Sequence, residues 1–164
     1  MSPSPLQFNR GVSFVEIIIA TSIIILIITG IVSAYSFWIN EHRVSTDRVV
    51  NAMLLEEGVE AVRSIRDRNW SELATLSTSD THYLSFATTT STWSITTEPE
   101  WIDSSYKRWF EVRDVERDGN DMITESGGTV DPNTKKVTVY ATWNNTSGTT
   151  TREVSSYFAN LFEN

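Results

Sequence analysis

A single carboxylate, Glu16, stands at the mouth of the most apolar stretch of the chain, Ile17 to Ile39, within which no charged residue occurs. A charged carboxylate in hydrocarbon costs roughly 2.5–3.5 kcal/mol at mid-membrane and less near an end. The chemistry open to such a group is pairing: a carboxylate and an ammonium, each costly alone in low dielectric, are far less costly together. Taken by itself, Glu16 also fits an interfacial position favoured by the positive end of a helix dipole.

No other constellation approaches a reactive one. The two histidines, His42 and His82, have neither a carboxylate nor a second histidine at ligand spacing, which predicts solvated side chains. The many serines lack a G-x-S-x-G elbow, and no glycine-rich phosphate cradle is present. No catalytic residue can be named, so the expectation is not an enzyme, with no cofactor. Asp114, Asp118, Asn120 and Asp121 offer the hard oxygens calcium prefers, but without EF-hand spacing or its terminal bidentate glutamate; no metal site is assigned. Asn69-Trp70-Ser71 and Asn144-Asn145-Thr146 match the glycosylation pattern, which also arises readily by chance. Trp70, Trp93, Trp101, Trp109 and Trp143 could grip a ligand such as a glycan, but a small sheet on a helix needs large side chains, and most are expected in the core. Trp38 and Tyr35 suit an interfacial belt.

Charge narrows the partners. Thirteen basic and 21 acidic residues leave a net charge of −8 and no basic stripe to displace counterions from phosphates, so nucleic acid is not expected as a partner. The chain has no cysteine, so its folded part relies on packing alone.

The element that must carry Glu16 is a helix. Ile17 to Ile39 would span about 34 Å, against a hydrocarbon core of about 30 Å. Thr21, Ser22, Thr29 and Ser33 are tolerable there because their hydroxyls can bond back to helix carbonyls. A cleaved secretory signal is disfavoured by the length of the run and the lack of an A-x-A-like site after it. A buried core helix is disfavoured by apolarity on every face. No proline occurs between Pro5 and Pro99, so nothing stops the helix at Ile39. Val44, Val49, Val50, Met53, Leu54, Val59, Val62 and Ile65 then form an approximate helical stripe, with Arg48, Glu56, Glu57, Glu60, Arg63 and Arg66 mostly on other faces. The helix is predicted to end in Arg66–Trp70, with Gly30 and Gly58 as places to bend. Leu73 and Leu76 are expected to tuck beneath it.

Strands are predicted at 83–87, 92–97, 108–116, 135–143 and 150–155. The clearest is Val137-Val139-Ala141-Trp143 alternating with polar neighbours. Turns are expected at Asp118–Asp121, Gly127-Gly128, Asp131-Pro132-Asn133 and Asn144-Asn145. The tail from Tyr157 to Phe162 is apolar enough to complete the core. The fold class is α+β: a long N-terminal helix packed on an antiparallel meander.

Arg10-Gly11, an apolar Val12, and Glu16 as the fifth residue counted from Val12 together resemble the class III leader of type IV pilins and pseudopilins. The resemblance implies cleavage between Gly11 and Val12 by the prepilin peptidase, with Val12 as the mature, methylated first residue. It implies that Glu16 pairs with the N-terminal amine of a neighbouring subunit's Val12. The expected divisions are a leader at 1–11, a transmembrane and assembly helix at 12–39, its amphipathic half at 40–68 and a β-rich head at 69–164. Implied partners are other pilin subunits, the prepilin peptidase, an inner-membrane assembly platform and membrane lipid. The implied location is the cytoplasmic (inner) membrane as a single pass with the head outside the cytoplasm, then a surface pilus or secretion pseudopilus. Arg10 before the span and Arg43 and Arg48 after it do not fix the orientation themselves. The alternative is an uncleaved single-pass adhesin or receptor with a β-rich binding head.

Overall fold

A computed structural model of the protein describes residues 13–145 and 148–161. The expected leader, Val12, Thr146 and Phe162 lie outside the described residues.

Helix α1, Phe14–Arg68, is helical throughout, Gly30 and Gly58 included. Glu16 in its first turn and Arg66 and Arg68 in its last complement the helix dipole at both ends. Two compact units divide within α1, Met1–Ser45 and Thr46–Asn164. In the first unit every described residue is helical after Ser13, and the side chains from Ser13 to Trp38 are exposed. Oγ1 of Thr21 donates to the Ile17 carbonyl at 2.9 Å, Oγ of Ser22 to Ile18 at 2.7 Å, and Oγ1 of Thr29 to Ile25 at 2.8 Å. These hydroxyls therefore add no unsatisfied donor to the apolar surface.

The second unit contains the end of α1, a short helix α2 (Trp70–Ala74) and seven strands: β1 (Tyr83–Ala87), β2 (Thr92–Thr96), β3 (Trp101–Ile102), β4 (Tyr106–Arg117), β5 (Ile123–Thr124), β6 (Thr129–Asn145) and β7 (Gly148–Ala159). β1 and β2 form an antiparallel hairpin. A five-stranded antiparallel sheet has the order β3-β4-β6-β7, with β5 also paired to β4. An isolated bridge between His82 and Phe110 joins the hairpin's approach to β4. The α+β class is thus observed, with a mostly sequential antiparallel sheet.

Two expectations are corrected and two features are added. Asp131-Pro132-Asn133 is not a turn between strands but lies inside β6. The β4–β6 register passes from Asp114↔Lys135 to Val115↔Asp131, so β6 carries extra residues in a bulge where Pro132's missing N–H costs no ladder bond. Helix α1 ends at Arg68, inside the expected Arg66–Trp70, and a second short helix follows at once. Asn69 caps α2, its side-chain oxygen accepting from the Ser71 N–H at 3.1 Å, and α2 buries Trp70 and Leu73. The buried stripe of α1 runs through Asn51, Leu54, Gly58, Ala61, Val62 and Ile65, whereas Val49 and Met53 point to solvent. Finally, Gly58 is a point of close approach. A Cβ there would stand 2.6 Å from Val139 Cγ1 and 3.0 Å from Arg108 Cδ, so the absent side chain is what lets helix and sheet meet.

The core gathers Ala61, Val62 and Ile65 of α1, Trp70 and Leu73, Leu84 of β1, Phe110 and Val112 of β4, Val137 and Val139 of β6, and Phe158 of β7. On β4 the buried parity changes from Arg108-Phe110-Val112 to Val115, across the same register shift. The expected tail does complete the core, through Phe158.

Candidate functional site

Glu16 sits in the first turn of α1, where its N–H donates to the Ser13 carbonyl at 2.9 Å. Its side chain is exposed, and so are Phe14, Val15 and the run of isoleucines after it. Gly11 and Val12, the expected processing site and the amine-bearing partner, lie outside the described residues. Helix α1 is long and apolar enough to cross a membrane by length and composition. A contiguous apolar surface of this extent exceeds the few hundred Å² that soluble monomers normally leave open, so it calls for lipid or another protein. Tyr35 and Trp38 are exposed at the end of the run, and the Trp38 ring stacks on His42 one helical turn later, at 5.7 Å and 5°.

In the second unit, polar side chains fasten the helix to the sheet. Arg108 is buried; its Nη1 donates to the Leu54 carbonyl at 3.2 Å and to Glu57 Oε2 at 2.8 Å, and its guanidinium lies 5.1 Å from the centre of the Trp93 ring. A burial so deep is sustained because the charge finds a carboxylate, a carbonyl and an aromatic face together. The Tyr106 hydroxyl donates to Asp47 Oδ1 at 2.9 Å; burial, then the Asp47 carboxylate, pushes its pKa up. On the sheet, buried Lys135 pairs with Asp114. Reasoning from sequence missed Arg108 and Lys135 as buried groups. The signal was present in their parity, which matches Phe110 and Val112 in one strand and Val137 and Val139 in the other.

His82 also departs from expectation. It is buried, not solvated, with Nε2 2.9 Å from the Ser77 carbonyl and its ring against Phe110 at 5.4 Å. Of the five tryptophans expected mostly in the core, Trp70 and Trp143 are buried and Trp93 and Trp109 are half-buried, while Trp101 is 52% exposed. Trp109 lies on the outer face of β4, stacked on Tyr140 of β6 at 5.4 Å.

The acidic corner is committed to its own fold. Asp118 accepts from the N–H groups of Met122 at 2.9 Å and Asn120 at 2.8 Å, which in that order hold its pKa below the ordinary value. Asp131 is lowered by the Thr134 hydroxyl first and then by the Arg117 guanidinium, whose Nε donates to Asp131 Oδ2 at 2.7 Å. Among the described residues no three His, Asp or Glu side chains converge on a point where a metal could sit. Both carboxylates bind protons less tightly folded than unfolded. Their stabilisation is therefore complete above the unfolded value of about 4 and is lost as pH falls through the lowered values. Asp131→Asn should lower the urea midpoint at pH 7 and leave a shallower decline below pH 4, measured by urea unfolding in detergent micelles at graded pH. An unchanged acid slope would show that this ion pair does not set it.

Comparison of the chain with protein-family models, with curated proteins and with solved structures returns no match.

Proposed function

We propose that the protein is a structural subunit of a type IV filament, a pilus or a secretion pseudopilus, anchored in the cytoplasmic membrane before assembly and built into the filament through α1. The observation that carries this reading is Glu16 in the first turn of a helix with no buried side chain before Ile39 that continues unbroken into a packed core. A plain anchor gains only the modest helix-dipole interaction from a carboxylate in that position, whereas a subunit that must find another subunit also gains a reason to pair. Interhelical packing in lipid has no hydrophobic driving force of its own, because acyl chains are as apolar as isoleucine. A polar group at the helix start then supplies the selectivity that apolar packing lacks.

On this reading the chain is cut after Gly11 by a prepilin peptidase. Val12 then presents the amine that Glu16 of a neighbouring subunit accepts, and the head faces away from the cytoplasm. Its partners are other subunits of the filament and an inner-membrane assembly platform. Mass spectrometry of protein recovered from membranes and from sheared surface filaments tests this directly. The expected N-terminal peptide begins at Val12. Recovery of intact Met1 to Gly11 from assembled material would overturn the processing and favour an uncleaved membrane-anchored adhesin.

A further inference from the structure

Between the end of α1 and strand β7 lies a cavity of about 330 Å³ lined by Arg48, Asn51, Ala52, Leu55, Arg152 and Glu153. Three features mark it as unfinished. Asn51 is only 1% exposed, yet neither its amide nitrogen nor its amide oxygen has a hydrogen-bond partner. Buried amides are nearly always satisfied, and each orphaned group is a substantial penalty. Arg48 and Arg152 are exposed, and among the described residues neither guanidinium forms a hydrogen bond or ion pair. Strand β7 is the edge of the sheet. Arg152 shares the helix-facing side with Val154, since both oppose inward residues of β6, Ala141 and Val139, and Val154 remains 37% exposed.

We propose that this groove receives the Glu98–Trp101 segment of a second copy of the chain. That segment joins β2 to β3 and carries the complementary chemistry. Glu98 and Glu100 have no ion-pair partner among the described residues, and Trp101 is half exposed beside them. Two carboxylates meet two free guanidinium groups, for which Arg is the better-matched cation. The indole meets the half-buried Leu55 that lines the groove. Groove and loop are different surfaces, so the contact is head-to-tail. A head-to-tail contact propagates from copy to copy and gives a ring or an open helical array, not a closed two-fold dimer. The inference rests on the filament reading above and supplies it with a contact between heads, independent of Glu16.

The absence of native cysteine makes the test clean. Full-length Arg152→Cys and Glu98→Cys chains, co-reconstituted in lipid vesicles and oxidised, should give a cross-linked heterodimer, with neither variant cross-linking alone. Arg152→Glu should reduce assembly of the chain about thirtyfold, and combining it with Glu98→Arg should restore most of the loss. Circular dichroism of Arg152→Glu should match the native chain, since the side chain is exposed. Native chains that assemble while Arg152→Glu has no effect and no heterodimer forms would overturn this contact and leave the filament reading standing; a groove filled by water alone gives that result. Native chains that remain monomeric in the membrane at every density would also overturn this contact, and leave standing the filament reading, which assembles processed chains on a platform.

Discussion

Glu16→Val should leave the chain in the membrane and take it out of the filament. Insertion loses only the modest helix-dipole interaction and is relieved of a carboxylate near the apolar run, a gain of at most roughly 2.5–3.5 kcal/mol. On the filament reading, assembly loses the acceptor for a neighbouring N-terminal amine. Removing one partner of a buried pair costs about 3–5 kcal/mol because the other charge is left uncompensated. Each 1.4 kcal/mol is about tenfold in an equilibrium constant, so incorporation should fall by at least two orders of magnitude. Co-expression of tagged Glu16→Val with native chain, followed by comparison of the membrane and sheared-filament fractions, reads both effects in one sample. Glu16→Gln separates charge from hydrogen bonding, since it keeps the shape and an acceptor but not the negative charge. Incorporation of the valine variant at the native level would remove Glu16 from any part in assembly.

The second large effect belongs to the head. Gly58→Leu should destabilise it by about 3 kcal/mol or more, the upper end of what overpacking a core costs, within a total that is only about 5–15 kcal/mol for an ordinary domain. The first added carbon already meets Val139 Cγ1 at 2.6 Å and Arg108 Cδ at 3.0 Å, and three more carbons have nowhere to go between helix and sheet. Displacing Arg108 would also break its bonds to Leu54 and Glu57. Gly58→Ala is the informative control. It gains about 1 kcal/mol in helix propensity and meets only the methyl and methylene at the contact. Val139→Ala in the same chain should then cost less than the two single changes added together. Urea unfolding in detergent, followed by the fluorescence of buried Trp70 and Trp143, checks the series. Simple additivity would mean that the close approach at Gly58 does not govern the fit.

Periodic features were legible in the sequence. The end of α1 at Arg68, the β1 strand Tyr83–Ala87, and the alternation of β6 from Lys135 to Trp143 follow from hydrophobic spacing that any reading of the chain recovers. What escaped are places where a polar residue is buried because of a partner distant in sequence. Asn51 took an inward position of the helix stripe while Val49 and Met53 went outward; the phase is set by the sheet, and through Gly58 above all. His82 is drawn inward by its bridge to Phe110, and Arg108 by Glu57 and the Leu54 carbonyl. Pro132, the strongest turn signal in its region, was absorbed as a bulge because β4 and β6 pair on both sides of it. Of the site, Glu16 is visible in sequence because its environment is local, the apolar run itself. The Arg48–Asn51–Arg152 groove is not, since α1 and β7 come together only in the fold.

The place of Phe158 in the core bears on the order in which the head can form. Its ring lies 5.6 Å beneath the Arg66 guanidinium and in the same cluster as Val62 and Ile65, yet β7 is the last described element to be synthesised. At roughly 5–20 residues per second, the apolar face of α1 waits several seconds for the strand that closes it. Sheet formation by contacts this remote in sequence is slow in itself, because loop closure precedes any gain from packing. The nascent head therefore passes through a stage in which Ile65 is uncovered while the isoleucine run before Ile39 is already fully made. A chain interrupted before Phe158 should stay in that open stage, soft to proteases, and so be cleared before it can enter an assembly.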